Sequence, residues 1–454
     1  MKKERHSVEI EKIVLGGQGL ARLPDGLVVL VDSVLPGETV TIELSSKKKQ
    51  YAQAKLLEVV ESSPHRIVPP CKYYADCGGC DLQHFSYTSQ LAVKNNCFTD
   101  TVERALGAEL FSAIQIEPVL SSVNEFYYRQ RIRLQRDRYG ELGFYKKGSH
   151  DVVDIDSCLL AVAEINSVLS SLKECAHRSL IENAVAVELN YSPLDGKVII
   201  IVHLARKPRA TDIASAKKIA DEIALVKSVW IAVEGFSLNG PYLSGANGDT
   251  LSAQTIEFLL EGASQSEKLK FSIEPGGFCQ VNLEQNQRLV SLLLDWVREC
   301  SVHGRVLDLF SGMGNFSLPL AQLGLEVMAT DVQRAAIRSG QLNADRNNII
   351  SCSFARSDAF SAIKKLAKDS EKFELILLDP PRQGCKNITQ YLPALGAEYI
   401  IYISCDPATL ARDLAHLSKI GYSIKKCRAV DMFPQTHHIE SISLLKRDLS
   451  HCGD

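Results

Sequence analysis

The chain has 454 residues, of which 45% are hydrophobic and 23% charged, and its formal net charge is −3. This length exceeds one ordinary core, so we expect two or three globular domains, and the charge argues against a protein that is basic all over. No apolar run reaches the roughly eighteen residues that span a bilayer, and the charged N-terminus leads into no secretory segment. We therefore expect a cytoplasmic monomer that does not act at a membrane.

The first predicted unit, residues 1–65, contains short apolar stretches separated by glycine and proline turns. This spacing is typical of a small β-barrel. The hairpin "LPGE" at 35–38 and the basic turn Lys47–Lys49 fit an oligonucleotide-binding (OB-like) barrel. A small β module with a solvated charged turn fits the pattern equally well.

Residues 66–270 are predicted to form a central α+β domain, of which part of 90–120 could pack with the catalytic domain. Its first feature is a C-x5-C-x2-C cluster formed by Cys71, Cys77 and Cys80. Zinc and iron–sulfur sites both need four ligands, and Cys158 is the best candidate for the fourth. The thirteen cysteines show no disulfide framework of a small secreted scaffold, so a metal site is favoured; the spacing alone does not separate zinc from iron–sulfur.

A basic segment follows at residues 126–140, "FYYRQRIRLQRDRYG". Its alternation predicts a strand with Arg129, Arg131 and Arg133 on one face and Ile132 and Leu134 on the other. With the two tyrosines before Arg129, the charged face suits phosphate contact and base stacking. The alternative is a solvated strand face.

From residue 271 to 454 the pattern becomes strand–helix alternation. The predicted strands lie at 305–310, 325–331, 350–358, 373–381 and 399–406. This order predicts a doubly wound, Rossmann-like parallel sheet whose ligands bind at the carboxyl ends of the strands.

The first of these strands runs into a glycine turn at Gly312 and Gly314 that precedes a helix. The third glycine of the dinucleotide fingerprint is replaced by Ser317, so no pyrophosphate cradle is required. Four strand ends carry a carboxylate, at Asp308, Asp331, Asp358 and Asp379. This set suits a cofactor with an adenosine and a positive charge, and S-adenosylmethionine fits better than an anionic dinucleotide.

The stretch "LLDPPRQG", residues 377–384, raises a different activity. Amino-methyltransferases acting on adenine or cytosine follow Asp-Pro-Pro with an aromatic ring that stacks on the base. Arg382 occupies that position here, which argues against an exocyclic amine as the target.

Cys405 lies at the end of the fifth predicted strand. Asp406 and Pro407 are typical of a helix start, and a thiol just before a helix N-terminus is expected to be favoured as thiolate. A structural cysteine is the common alternative, but this position favours a nucleophile. A thiolate that adds to carbon 6 of a pyrimidine activates carbon 5 for methylation, and a base must then remove the carbon-5 proton. Glu440 is the candidate base, with a surface acid as the alternative.

The motifs "SCDPATLARDL", "FPQTHHIES", "LDLFSGMGNFSL" and "LLDPPRQG" resemble the RNA (uracil-5-)-methyltransferase family of the TrmA/RumA type, over essentially the full chain. The resemblance implies transfer of a methyl group to carbon 5 of a uridine, with Cys405 as nucleophile and Glu440 as base. It also implies S-adenosylmethionine binding by Gln280, Phe310, Asn315, Asp331, Asp358 and Asp379. Asp331 stands where Glu is more usual, and His437 where some members have Gly. Phe278 is a candidate to stack on a nucleobase.

The N-terminal unit resembles a TRAM domain, and the branch that carries both this domain and the cysteine pattern is the RumA/RlmD type. That branch implies a [4Fe-4S] cluster on Cys71, Cys77, Cys80 and Cys158, and a site of the uracil(1939)-C5 type in 23S rRNA. We expect a flipped or looped target, because a stacked uracil is inaccessible. The alternatives are another rRNA or a tRNA as substrate, or an RNA-binding assembly factor without catalysis.

Overall fold

The computed structural model describes residues 4–177, 179–243, 254–263 and 267–448. These residues form four sheets of six, seven, two and eight strands. None of the helices in the described ranges is both long and apolar enough to cross a bilayer.

The N-terminal sheet has the strand order β1-β5-β6-β4-β3-β2. Its strands are β1 (Arg5–Glu9), β2 (Lys12–Ile13), β3 (Gly19–Arg22), β4 (Val28–Val31), β5 (Thr39–Lys47) and β6 (Tyr51–Glu61). Side chains alternate along β5, where Val40 and Ile42 are buried while Thr39 and Thr41 are half-buried. This alternation gives the sheet one apolar face, which forms its own small core.

The next segment joins this region to the C-terminal part of the chain. It contains α1 (Tyr87–Leu106), α2 (Ala108–Ser112) and β7 (Gln115–Leu120). The buried residues of α1 include Phe98 and Val102, which share a core with C-terminal residues such as Leu410.

The central sheet has the order β10-β9-β8-β11-β12-β13-β14. Its strands are β8 (Arg131–Arg136), β9 (Leu142–Tyr145), β10 (Val152–Asp154), β11 (Ala186–Ser192), β12 (Lys197–Leu204), β13 (Val226–Val233) and β14 (Asn239–Tyr242). The helices of this region are α3 (Ala163–Glu174), α4 (Ser179–Glu182) and α5 (Ala210–Glu222). Leucine and isoleucine side chains of α3 and α5 share one core with alternate residues of β8, β11 and β12.

The basic segment is only partly as predicted. Ile132 and Leu134 are buried and Arg133 is exposed, as expected for β8. Arg129, however, precedes the strand and its backbone bridges Ala161 and Asn282. The prediction that Arg129 shares a strand face with Arg131 and Arg133 is wrong, because the strand begins only at Arg131.

The tyrosines before Arg129 also differ from each other. Tyr128 is 3% exposed and its hydroxyl donates to the Pro434 carbonyl at 2.9 Å, so it is a core residue and does not stack on a base. Tyr127 is 55% exposed.

The C-terminal sheet has the order β19-β18-β17-β20-β21-β23-β22-β7. Its further strands are β17 (Arg305–Asp308), β18 (Glu326–Asp331), β19 (Cys352–Arg356), β20 (Leu375–Leu378), β21 (Tyr399–Ser404), β22 (Tyr422–Val430) and β23 (Glu440–Arg447). The five predicted strands correspond to β17 to β21, which are parallel, and β20 and β21 are buried throughout, as the apolar runs of a parallel sheet require.

Helices connect these strands. They are α6 (Leu283–Glu299), α7 (Ser317–Gln322), α8 (Arg334–Arg346), α9 (Ala359–Lys368), α10 (Lys386–Thr389) and α11 (Pro407–Lys419). A hairpin of β15 (Ile256–Glu261) and β16 (Lys268–Ile273) packs into the same core as α6. At the far edge of the sheet, β7 pairs in parallel with β22.

Candidate active site

The glycine turn after β17 leaves space beside its backbone. Gly312 has φ +54°, and a Cβ built there would meet no atom within 4 Å. Gly314, at φ +92°, is packed closely instead, with Phe354 at 2.9 Å from the position of its missing Cβ. The buried Ser311 hydroxyl has no hydrogen-bond partner among the described residues. Open space and an unpartnered polar atom beside a glycine turn fit a bound cofactor.

Three of the strand-end carboxylates adjoin this turn. The Gly312 amide donates to Asp331 Oδ2 at 3.0 Å, which fixes the turn against the end of β18. Asp308 is buried and accepts from the Ser317 hydroxyl at 2.6 Å. Burial raises the pKa of Asp308 to about 7, and burial together with the charge of Asp308 raises the pKa of Asp379 to about 7.

The remaining predicted cofactor residues have different surroundings. Asp358 caps α9, where its Oδ1 accepts from the Ser361 amide at 3.0 Å. Asn315 is buried and exchanges two side-chain hydrogen bonds with Asn286 of α6, at 2.8 and 2.9 Å. Phe310 is half-buried after β17, and Gln280 is buried in the loop before α6. The structure thus groups Asp308, Asp331 and Asp379 at the turn, while local contacts hold Asp358 and Asn315.

Cys405 and Glu440 lie at neighbouring strand ends. β21 and β23 are antiparallel with Ser404 paired to Ser441, so the next step of the register sets Cys405 opposite Glu440. Asp406 caps α11 as predicted, because its Oδ1 accepts from the Thr409 amide at 2.8 Å. Cys405 is half-buried and Glu440 is 3% exposed.

The expected stabilisation of the Cys405 thiolate is wrong. Burial raises the pKa of Cys405 to about 11, the carboxyls of Glu440 and Asp379 add to the rise, and Arg382 only partly opposes it. Desolvation, followed by the two nearby carboxyls, thus disfavours the Cys405 thiolate. Burial and the charge of Asp379 also raise the pKa of Glu440 well above its usual value.

The four cysteines Cys71, Cys77, Cys80 and Cys158 lie near one another, since their charges perturb each other's titration. Burial raises the pKa of Cys80 to about 12, with smaller contributions from Cys158 and Cys77. Within the described ranges, no group of three or more Cys, His, Asp or Glu side chains is arranged to hold a metal ion.

Arg129 supplies a test of whether this region fits a negatively charged group. Its Nε is buried without a hydrogen-bond partner among the described residues, and its guanidinium interacts with Cys158 and Cys80. A buried, incompletely paired cation is costly, whereas a thiolate-ligated cluster beside it would supply negative charge. The donor set and the arginine therefore fit an anionic metal–thiolate group.

Two contacts near the site were missed by the sequence analysis. His437 Nδ1 lies 2.6 Å from Oδ2 of Asp81, the residue that follows Cys80 in the sequence. The loop that carries the cysteines therefore contacts the segment that leads to Glu440. Lys94 of α1 pairs with Asp431 at 2.5 Å, and both side chains are buried. These partners lie more than 330 residues apart in the sequence, and each charge taken alone resembles an ordinary surface residue.

An exposed aromatic side chain lies in the loop before α6. Phe278 is 62% exposed, and the carbonyl of the adjacent Gly277 accepts from Arg131 Nη1 at 3.1 Å. Its exposure leaves Phe278 accessible for stacking, in the loop that also carries Gln280.

Comparison with known proteins gives two family matches. The pattern described as tRNA (Uracil-5-)-methyltransferase matches residues 86–448, and the TRAM domain pattern matches residues 2–57. The chain is similar to proteins named 23S rRNA (uracil(1939)-C(5))-methyltransferase RlmD. It is 32% identical to that of Shewanella sp. (strain MR-7), over 97% of this chain and 96% of the relative. It is also 32% identical to that of Pseudomonas entomophila (strain L48), over 98% and 94%.

A solved structure shares the fold over nearly the whole chain. The Pyrococcus abyssi tRNA (uracil-54, C5)-methyltransferase, crystallised with S-adenosyl-L-homocysteine, matches with a TM-score of 0.71 at 25% identity. The match covers 97% of this chain and 100% of that one.

Proposed function

The chain belongs to the tRNA (uracil-5-)-methyltransferase family, and from this premise we propose that it methylates carbon 5 of a uridine in RNA. Its substrate is 23S rRNA, at a site of the uracil(1939) type, as the names of its full-length relatives indicate. The observation that carries the proposal is the placement of Cys405 opposite Glu440, beside Asp379 and the glycine turn. This arrangement joins a nucleophile and a base to a cofactor site.

S-adenosylmethionine supplies an electrophilic methyl group when it is bound. The residues that would hold it are Gln280, Phe310, Asn315, Asp331, Asp358 and Asp379. The open space beside Gly312 and the unpartnered Ser311 hydroxyl support this assignment. Asp331 orients the turn by accepting from the Gly312 amide.

Cys405 acts as the nucleophile. Its Sγ forms a bond to carbon 6 of the uracil, and the electron pair of the 5,6 double bond becomes available at carbon 5 for methylation. Because the pKa of Cys405 is raised to about 11, the free protein holds the thiol at neutral pH. The thiol proton must therefore pass to a base as the bond forms, and Asp379, whose carboxyl acts on the Cys405 thiol, is the candidate for this role.

Glu440 acts as the base that completes the reaction. Once carbon 5 carries the methyl group, Glu440 removes the remaining carbon-5 proton, the double bond re-forms and the bond from carbon 6 to Sγ breaks. Its raised pKa makes its carboxylate a stronger base than an exposed glutamate. The products are 5-methyluridine, S-adenosylhomocysteine and the free enzyme, whose Cys405 thiolate takes back the proton that it gave up to the neighbouring carboxylate.

The other parts of the chain serve the RNA and the cluster. Residues 1–65 form an OB-like TRAM barrel that binds RNA, residues 66–270 form the central domain and residues 271–454 form the catalytic domain. The pairing of β7 with β22 supports the packing of part of 90–120 with the catalytic domain.

Cys71, Cys77, Cys80 and Cys158 ligate a [4Fe-4S] cluster. The unpartnered Nε of Arg129 supports this assignment. The protein acts as a cytoplasmic monomer.

The test is methyl transfer to 23S rRNA from cells that lack this gene. Wild-type protein and labelled S-adenosylmethionine should convert one uridine to 5-methyluridine, mapped by mass spectrometry, and Cys405→Ala should form none. Methylation of rRNA by Cys405→Ala, or of an amine instead of carbon 5, would contradict the proposal. A protein that binds rRNA but transfers no methyl group would instead be the non-catalytic assembly factor.

A further inference from the structure

The central domain has a second groove that the proposed reaction does not use. It encloses about 840 Å³, within the range of about 300–1,000 Å³ typical of ligand sites. Residues at the ends of β12 and β13 line it, with Arg133 of β8 on one side and Phe236 on the other. The groove is therefore built from the carboxyl ends of two parallel strands and the loops that follow them.

Its side chains combine positive charge with an accessible ring. Phe236 is 58% exposed, and Lys207 Nζ lies 5.0 Å from the centre of its ring. Arg133 and Lys207 form no ion pair with another described residue, whereas Arg206 is paired with Asp212 at 2.6 Å. Glu234 is the acidic residue of the lining, and Glu188, opposite Arg133 in the register of β8 and β11, is a further carboxylate close by.

The groove also offers an unused hydrogen-bonding atom. His203 lines it, and the Nε2 of His203 is buried without a partner among the described residues. A buried polar atom normally has a partner. Because Nε2 is buried, the His203 ring would have to turn toward the groove before this atom could bind the edge of a base.

The groove and the loop that carries Phe278 lie along the same face of β8. Arg131 contacts the Gly277 carbonyl, beside the exposed Phe278. Arg133 lies two residues further along β8 on the same face, about 7 Å away at the usual rise of a strand. A chain of nucleotides that leaves Phe278 thus meets Arg131, then Arg133 and the groove.

We propose that this groove binds single-stranded RNA flanking the methylated uridine, with a base stacked on Phe236 and backbone phosphates on Lys207 and Arg133. This inference rests on RNA being the substrate, as proposed above. Stacking on an aromatic ring beside basic side chains holds single strands with little sequence preference. The groove would hold the flanking strand while the target base enters the active site.

The test measures binding of unmodified 23S rRNA transcript, without S-adenosylmethionine, over a series of salt concentrations. Phe236→Ala should weaken binding about tenfold, the usual order for one lost stacking contact, and Phe236→Trp should restore it. Lys207→Gln should reduce the slope of log affinity against log salt by about 0.7. Lys364→Gln is the matched control. Lys364 Nζ also lies over an aromatic ring, 4.3 Å from the centre of Phe360, but both residues belong to α9 and do not line the groove.

In methylation assays, Phe236→Ala and Lys207→Gln should raise KM for RNA and leave kcat at saturating RNA unchanged. The inference is overturned if Phe236→Ala and Lys207→Gln both bind the transcript with wild-type affinity, or if Lys364→Gln loses as much affinity as they do. A groove that binds a protein partner instead of RNA would give the first of these results. Failure of the proposed function is distinguishable, because RNA would then bind through the groove without formation of 5-methyluridine.

Discussion

Cys405 stands opposite Glu440, because Ser404 pairs with Ser441 and the antiparallel register of β21 and β23 continues by one residue. This relationship explains why the thiol is a weak acid in the free protein. The carboxyl of Glu440 opposes the negative charge of a thiolate and, after burial, is the main cause of the raised pKa of Cys405. Burial and this carboxyl thus keep the thiol of Cys405 protonated in the free protein.

The first prediction concerns alkylation of Cys405 by iodoacetamide. Since only the thiolate reacts, the wild-type rate should rise about tenfold per pH unit up to the pKa, about 11. Glu440→Gln removes the opposing charge, so its curve should shift to lower pH and its rate at pH 9 should exceed the wild-type rate. Peptide mass spectrometry gives both rates, and Cys300, whose pKa does not depend on Glu440, is the internal control. Superimposable curves for Cys405 would refute the coupling.

The second prediction concerns Asp308 and stability. The folded-state pKa is about 7, above the ordinary value of 3.8, so between these values the folded state binds more protons than the unfolded state. The contribution of Asp308 to the free energy of unfolding is therefore lost as the pH rises from about 4 to 7. The loss is about 4 kcal/mol at most. Asp308→Asn keeps an acceptor for Ser317 and removes this dependence. The melting temperature of Asp308→Asn minus that of the wild-type protein should increase between pH 5 and 8. If this difference stays constant over that range, the raised pKa of Asp308 is contradicted.

The third prediction concerns the buried pair that joins α1 to the end of β22. Lys94→Met leaves the Asp431 carboxylate without its cation, although the Tyr87 hydroxyl still donates to it at 2.9 Å. Loss of one partner of a buried pair costs about 3–5 kcal/mol, so thermal melting should shift to a clearly lower temperature. The double variant Lys94→Met/Asp431→Leu should recover part of the loss. A single variant that melts like wild type would show that the pair contributes nothing.

The fourth prediction concerns the four cysteines. Protein purified without oxygen should contain iron and acid-labile sulfide in equal amounts, and Cys77→Ala should lose both, as should Cys158→Ala. Cys300→Ala, a half-buried cysteine outside the cluster, should retain them. Zinc without sulfide in the wild-type protein would replace the iron–sulfur proposal with a structural zinc site.

The sequence predicted well what depends on local pattern. The alternation of strands and helices indicated β17 to β21, and Asp406-Pro407 indicated the start of α11. The apolar face of β8 followed from a two-residue period. These features depend on neighbouring residues alone.

What the sequence did not predict depends on residues that only the fold brings together. Arg129 looked like one of three arginines on a strand, but the strand begins two residues later and Arg129 interacts with Cys80 and Cys158. The prediction of a thiolate at Cys405 considered the helix that follows in the sequence. It did not consider Glu440, which lies 35 residues further along the chain. Burial and contacts between residues distant in the sequence thus reversed both expectations.

The most direct test of the mechanism is a trapping experiment with Glu440→Gln. Incubated with 23S rRNA lacking the modification and S-adenosylmethionine, this variant should add Cys405 to the uracil and methylate carbon 5, but it cannot remove the carbon-5 proton. We predict a protein–RNA adduct that survives denaturing electrophoresis and is absent from Cys405→Ala/Glu440→Gln. Turnover of Glu440→Gln at the wild-type rate, with no adduct, would contradict the assignment of Glu440 as the base.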